Sequence, residues 1–121
     1  MSERRGSLRQ SLRVPFRLNT RGRLAENIDG ETIDVSDSGL GVKFSSRGAG
    51  KLDTLLETLV EDRLTVEIML RLPEGSVSSQ GQVVWWGLLG DDDKFAIRAG
   101  ILLPSPWSDS DWQLIEQNLG G

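Results

Sequence analysis

The sequence predicts an all-β fold with minor α: a small closed or nearly closed barrel of six or so short strands, with one helix inserted and one at the C-terminus. Three observations carry this. Apolar and polar residues alternate with period two in several short segments, which places every second side chain on one face. Clusters of Gly, Pro, Asn and Asp separate those segments at short intervals. Only two stretches switch to helical spacing, one in the middle of the chain and one at its end.

Residues 1–12 have little apolar content and no period, and read as a mobile arm. Val14, Phe16 and Leu18 alternate with Pro15, Arg17 and Asn19 as a first strand, with Pro15 at the entry position that a residue lacking an N–H tolerates. Thr20-Arg21-Gly22 reads as a turn and Arg23 to Ile28 as an extension of the strand. Asn27-Ile28-Asp29-Gly30 is expected to turn, because Asp-Gly tolerates positive φ. Thr32 to Val35 reads as a second strand, broken at Ser36-Asp37-Ser38-Gly39 by a bulge or sharp corner and resuming as Leu40 to Phe44.

Leu52, Leu55, Leu56, Leu59 and Val60 fall on one helical face, so residues 51–62 read as an amphipathic helix. In Leu64 to Leu72 the alternation puts Leu64, Val66, Ile68, Leu70 and Leu72 inward. Pro73-Glu74-Gly75 turns the chain, and Val77 to Trp86 is the next strand. Gly87 to Lys94 reads as an acidic connection through Asp91-Asp92-Asp93, a solvated loop rather than a metal site. Phe95 to Leu103 is the last strand, stopped by Pro104 and Pro106. Ser108 or Asp109 caps a final helix striped by Trp112, Ile115 and Leu119. No internal repeat or second domain is visible. The expected division is an arginine-rich arm at 1–13 and a barrel at 14–121.

A chain of 121 residues, 37% hydrophobic and 26% charged, fits one compact core. The longest apolar stretch free of charge, about Val83 to Leu89, falls short of the ~20 residues a membrane helix needs. The polar, basic N-terminus lacks the apolar region of a signal peptide, so the expected location is the cytoplasm or the cytoplasmic face of a membrane. The chain has neither cysteine nor histidine. That excludes disulfides, thiolate nucleophiles, histidine general bases and most zinc sites. Carboxylate-only catalysis remains, but no pair of acids has a suggestive spacing, so no enzyme is expected.

Net charge is −4, unevenly spread. Seven arginines against Glu3 give residues 1–23 a charge of +6, and the remaining 98 residues carry −10. An acidic body with a basic arm suits a small anion better than duplex nucleic acid. Guanidinium is planar and forked, so it can hold phosphate or a purine edge with two hydrogen bonds. A solvated tail has the same composition, so charge alone does not decide.

Two motifs narrow the choice. Arg9-Gln10-Ser11-Leu12-Arg13 runs directly into the first strand; Arg5 and Arg9 share the same spacing. Asp34-Val35-Ser36-Asp37-Ser38-Gly39 offers a carboxylate, a hydroxyl and a glycine at one corner. Each alone has a bland reading, an arginine-rich tail and an ordinary turn. In combination, with the arginine pair before one strand and the corner on the next, they are specific.

With these residues the chain resembles the PilZ domain, the bacterial receptor module for cyclic di-GMP. Gly81-Gln82-Val83-Val84-Trp85, Phe95 to Ile101 and the closing helix match more weakly. The resemblance implies a six-stranded antiparallel barrel with a C-terminal helix, and a ligand site made of Arg9, Arg13, Asp34, Ser36 and Gly39, with Arg4 and Arg5 as further candidates. The Arg9/Arg13 register is preferred because Val14, an apolar strand residue, follows Arg13. It implies that the arginines bind guanine edges and phosphates, that Asp34 accepts from a guanine donor edge, that Ser36 bonds a phosphate or the turn, and that Gly39 admits the purine. Leu8 precedes the pair at a position that bears on whether one ligand or a stacked pair binds. No metal or cofactor is implied beyond the ligand itself. Such domains occur as adaptors and as regulatory parts of membrane polysaccharide synthases, cellulose synthase among them. The alternative is the same fold acting as a protein–protein adaptor without nucleotide. Of Trp85 and Trp86, adjacent on a strand, one is expected inward and the other outward, where it could line a ligand or partner surface.

Overall fold

The computed structural model describes residues 9–20, 27–45, 49–91 and 94–119. In these, two short segments, β1 (Gln10–Ser11) and β2 (Pro15–Asn19), are followed by β3 (Asn27–Ser36) and β4 (Gly39–Ser45). Helix α1 (Ala49–Glu61) comes next, then β5 (Thr65–Leu72), β6 (Gly75–Asp91), β7 (Lys94–Leu102) and helix α2 (Asp109–Glu116). All pairings are antiparallel. Going round, β3 pairs with β2, β2 with β5, β5 with β6, β6 with β7, β7 with β4, and β4 with β3 again. Six strands therefore close into a barrel, which leaves no exposed sheet edge. β1 is a seventh, two-residue strand laid on β3 beyond the end of β2.

The long β6 lets so few strands close. Gly75 to Gln82 pair with β5, and Gln82 to Asp91 pair with β7. One strand thus serves two neighbours in succession. A register shift between Val83 and Trp85 makes Val84 an extra residue. Bulges of this kind supply the bend that closure requires.

A second bulge lies in β3. Thr32 faces Val42 and Asp34 faces Gly41, so Ile33 is the extra residue. Before it, Gly30 and Thr32 share the inward face with Phe44 and Val42; after it, Val35 faces Leu40, both fully buried. The inserted residue reverses the alternation, and Asp34 is turned outward.

The core is a single cluster. Val14, Phe16 and Leu18, then Val35, Leu40, Val42 and Phe44, then Val66, Ile68, Leu70 and Leu72, and Ile97, Ala99 and Ile101 fill the barrel. Phe16 and Phe44 meet across it with ring centroids 5.9 Å apart. Leu52, Leu55, Leu56 and Leu59 of α1 join this cluster, as the helical stripe predicts. α2 is capped by the Ser108 hydroxyl, which accepts from the Asp111 amide at 3.2 Å, and it buries Trp112 and Ile115.

Five local expectations change. Gln10 to Leu12, expected in a mobile arm, pair with β3 and end in the fully buried Leu12, because that apolar side chain is taken into the core. Asn27 to Gly30 is strand, not turn: Gly30 lies against Phe44, and a Cβ there would sit 2.8 Å from that ring. Ile28 accordingly belongs to β3, opposite Leu18, and not to an extension of the preceding strand; the Arg21-Gly22 turn lies outside the described residues. Leu64 stands just before β5 and is exposed rather than inward. Gly87 to Asp91 continue β6 instead of forming a connection, paired up to Asp91 opposite Lys94; Asp92 and Asp93 lie outside the described residues.

Leu56→Ala, which deletes a fully buried side chain, is expected to cost about 2–5 kcal/mol in urea unfolding. Glu57→Ala, on the exposed face of the same helix, is expected to change stability by less than about 0.5 kcal/mol.

Candidate functional site

The leader reaches the barrel along β3. Gln10 faces Val35 and Ser11 faces Asp34, and the Leu12 amide donates to the Ile33 carbonyl at 3.1 Å. Leu12 and Val14 both point into the core, at 0% and 7% exposure. Arg13 lies between them, so its side chain emerges on the outer side, where it is exposed and makes no ion pair among the described residues.

The chain between Ser11 and Pro15 is not a regular strand. The fully buried Thr32 substitutes for the missing ladder. Its hydroxyl donates to the Leu12 carbonyl at 2.6 Å and accepts from the Val14 amide at 3.0 Å. The Thr32 amide in turn donates to the Val14 carbonyl at 3.0 Å. Both peptide neighbours of Arg13 are thereby held.

Asp34, turned outward by the bulge, accepts twice at one oxygen. The Arg9 guanidinium donates to its Oδ1 at 2.8 Å and the Gly41 amide at 3.0 Å. Its Oδ2 accepts nothing among the described residues. The ion pair is solvent-facing, with side chains 51% and 29% exposed, so it contributes at most about 1 kcal/mol. The backbone pairing, not the ion pair, brings the leader here.

Ser36 and Gly39 face each other across a two-residue hairpin, Asp37-Ser38. Among the described residues the only φ in the left-handed region belong to Arg63 and Gly75. The turn is therefore neither of the primed types that suit a tight hairpin's twist. The C-terminal segment holds it from behind. The Trp107 indole N–H donates to the Ser36 carbonyl at 3.0 Å, its amide to Asp37 O at 3.4 Å, and the Leu103 amide to Ser38 O at 2.8 Å. The Ser36 hydroxyl makes a long contact to the Gly39 carbonyl, 3.5 Å. Gly39 is needed for a reason other than the one expected. Its φ is unexceptional, but a Cβ would lie 2.7 Å from the Ile101 carbonyl on β7.

The register carries the outer surface onward. Asp34 faces Gly41, Gly41 faces Gly100, and Gly100 faces Trp85. This is one row across β3, β4, β7 and β6, spanning about 14 Å at the usual strand spacing. The adjacent row runs Ser36, Gly39, Leu102 and Gln82. Three glycines stand in these two rows, all of them buried, and the Asp34 carboxylate lies against Gly41. Asp34 and Arg9 stand at one end of the first row, and Trp85, 47% exposed, at the other. Trp85 lies over Gly100, where a Cβ would fall inside its indole. Trp86 is half-buried and packs on the core, so the adjacent tryptophans split as expected.

Of the site residues predicted from sequence, the fold brings Arg9, Asp34, Ser36 and Gly39 together on one face and places Arg13 just along the same leader. Arg4 and Arg5 lie outside the described residues. The parts played by Thr32, Gly41 and Gly100 were not anticipated; Trp107, a residue type that is usually core but can stack on a base, is buried, and its bond to Ser36 was not foreseen. Gly41 was accessible, because Gly39-x-Gly41 alternates with the inward Leu40 and Val42. Nothing in the sequence links Thr32 to Leu12, Gly100 to Gly41, or Trp107 to Ser36.

Other polar groups lie elsewhere. Arg17 donates to Asp29 through Nε at 2.7 Å, and that hydrogen bond holds the Asp29 carboxyl below its ordinary range. Arg17 also lines a groove of about 450 Å³ with Asn19, Asn27, Glu67, Ile68 and Met69. Asn19 and Asn27 hydrogen-bond through their amides at its rim. No group of three or more acidic side chains among the described residues could hold a metal ion.

The chain matches the family model of the PilZ domain over residues 3–105. A sequence comparison with curated proteins finds no match. The fold is similar to that of PlzA from Borreliella burgdorferi, solved in complex with c-di-GMP: TM-score 0.67, 11% identity, 96% of this chain and 52% of that one. It is also similar to apo MrkH from K. pneumonia, with TM-score 0.62, 16% identity, 91% of this chain and 47% of that one. A third relative is the PilZ domain of YcgR from Escherichia coli, solved with c-di-GMP: TM-score 0.55, 13% identity, 92% and 88% coverage. The chain spans about half the length of PlzA and MrkH.

Trp107→Phe keeps a ring in the core but leaves the Ser36 carbonyl without its indole donor. It is expected to cost at least about 1–3 kcal/mol in chemical denaturation.

Proposed function

The chain belongs to the PilZ domain family, and from that premise we propose that it is a cyclic di-GMP receptor. On binding, the arginine-rich arm, residues 1–13, closes further on the barrel, residues 14–121; Gln10 to Leu12 already lie on β3, so the change falls on the arginines before them. The observation that carries the reading is the backbone pairing of Gln10 and Ser11 with Val35 and Asp34. It sets Arg9 beside a carboxylate whose second oxygen accepts nothing among the described residues, at one end of a row that ends in Trp85.

Each part has a chemical task. Gly41 and Gly100 carry no Cβ, which lets the Asp34 carboxylate and the Trp85 indole lie close against the sheet, where each can meet a purine. Asp34 Oδ2 accepts from the N1–H and exocyclic amine edge of guanine. Arg9 and Arg13 hold a phosphate or the O6/N7 edge, for which a forked donor is the best match. Ser36 bonds a phosphate oxygen or steadies its own turn. Trp85 supplies a stacking face at the far end of the row. Arg4 and Arg5 add positive charge to the approaching arm.

The task is recognition, not catalysis, and no cofactor takes part. Ligand and arm together create a surface that the free protein lacks, and a partner that prefers it shifts the equilibrium further. That partner is an effector protein or a membrane polysaccharide synthase, cellulose synthesis being one such pathway. The domain works in the cytoplasm or on the cytoplasmic face of the inner membrane. No helix among the described residues is long and apolar enough to cross a membrane.

Isothermal titration with cyclic di-GMP is expected to give saturable binding, and GTP and cyclic di-AMP none at the same concentrations. Arg13→Ala and Asp34→Ala should each weaken binding about tenfold or more, the worth of a hydrogen bond to a charged group. Trp85→Phe should reduce the accompanying tryptophan fluorescence change. Absence of binding by the wild type would favour the adaptor reading; unaltered binding by both alanine variants would reject the assigned site.

A further inference from the structure

We infer that Thr32 is a positioning residue for the arginine site. It holds the peptide groups on both sides of Arg13 and so fixes where that guanidinium leaves the barrel. The inference rests on the ligand reading above for its consequence, but not for its geometry.

Residues 12–14 lie between β1 and β2 and belong to neither, so the leader has a gap in its ladder at the arginine itself. The Thr32 hydroxyl bridges that gap, donating to Leu12 O at 2.6 Å and accepting from Val14 N at 3.0 Å. The same oxygen lies 3.4 Å from Val14 O. Thr32 is fully buried, so water cannot replace it. A hydroxyl is the one small group that donates and accepts at once, as these two peptide groups require. Serine retains that capacity. Valine has nearly threonine's shape but leaves a carbonyl and an amide buried and unpaired, and the leader must shift to reach water.

The position matters because Arg13 has no ion-pair partner among the described residues to orient it, whereas Arg9 has Asp34. Leu12 and Val14 anchor the side-chain direction by burial, and Thr32 anchors the backbone between them. A ligand that needs both arginines binds a preset Arg13, and the ordering cost falls on the residues before it.

The test uses Thr32→Val and Thr32→Ser in the full chain, at a temperature where both are folded by circular dichroism. Cyclic di-GMP affinity should fall about tenfold or more in Thr32→Val and stay within about threefold of wild type in Thr32→Ser. A purely structural role would lower the melting temperature of Thr32→Val and leave affinity in the folded protein unchanged, and that result would overturn the inference. A second readout needs no ligand. The chain has no cysteine, so Arg13→Cys carries a single nitroxide. Its spin-label spectrum should broaden in the threonine and serine backgrounds and sharpen with valine. Equal mobility in all three would refute the positioning role, even if the protein binds no cyclic di-GMP. Should Thr32→Val not fold, Thr32→Ala, which removes the hydroxyl and adds no second thiol, is read by the same two criteria.

Discussion

One inserted residue in one strand sets the site. Ile33 has no partner of its own on β4, and its presence reverses the alternation of β3 halfway along. Were Ile33 paired in a regular ladder instead, Asp34 would share the parity of Gly30 and Thr32 and point into a core of Phe44, Val42 and Leu40. An unpaired carboxylate there would cost several kcal/mol. With the bulge, Thr32 faces inward, where its hydroxyl meets the leader, and Asp34 faces outward, where Arg9 and the Gly41 amide meet it. The same bulge serves the barrel, since closure with six strands needs local bends.

The groups that look most chemical are not what holds the site together. Arg9 and Asp34 form an exposed ion pair, the kind of contact that is weak and screened by salt. The placement of the leader comes from buried elements: Leu12 and Val14 in the core, the Thr32 hydroxyl between them, and the short ladder of Gln10 and Ser11 with β3. The hairpin at Asp37-Ser38 follows the same logic. Its backbone is not the type a two-residue hairpin favours, and three of its carbonyls are captured by Leu103 and Trp107. A weak surface pair on a rigid base can exchange partners without unfolding anything, which is useful where a ligand must replace a side chain.

The outer face also explains why one barrel needs so many glycines in register. Gly39, Gly41 and Gly100 lie on neighbouring strands, and each is restricted by a different neighbour: the Ile101 carbonyl, the Asp34 carboxylate and the Trp85 indole. These are steric requirements of the folded protein itself. Gly41 and Gly100 thus let the Asp34 carboxylate and the Trp85 indole lie close against the sheet, at the charged end and the aromatic end of one row.

Much of this was legible in the chain. Period-two segments, one amphipathic helix and a capped final helix fixed an all-β barrel, because burial on one face imposes those spacings wherever a strand or helix lies on a core. Arg9, Arg13, Asp34, Ser36 and Gly39 stood out because their types and spacing are unusual in combination. The turn expected at Asn27 to Gly30 failed because Asp-Gly is a local preference, and Phe44 across the strand overrode it. The bulge at Ile33, the bond from Thr32 to Leu12 and Val14, and the strut from Trp107 to Ser36 were decided only by tertiary structure. Each depends on which residues of distant segments stand opposite one another. Register is a property of the closed barrel, where six strands must satisfy one another together, and no single segment encodes it.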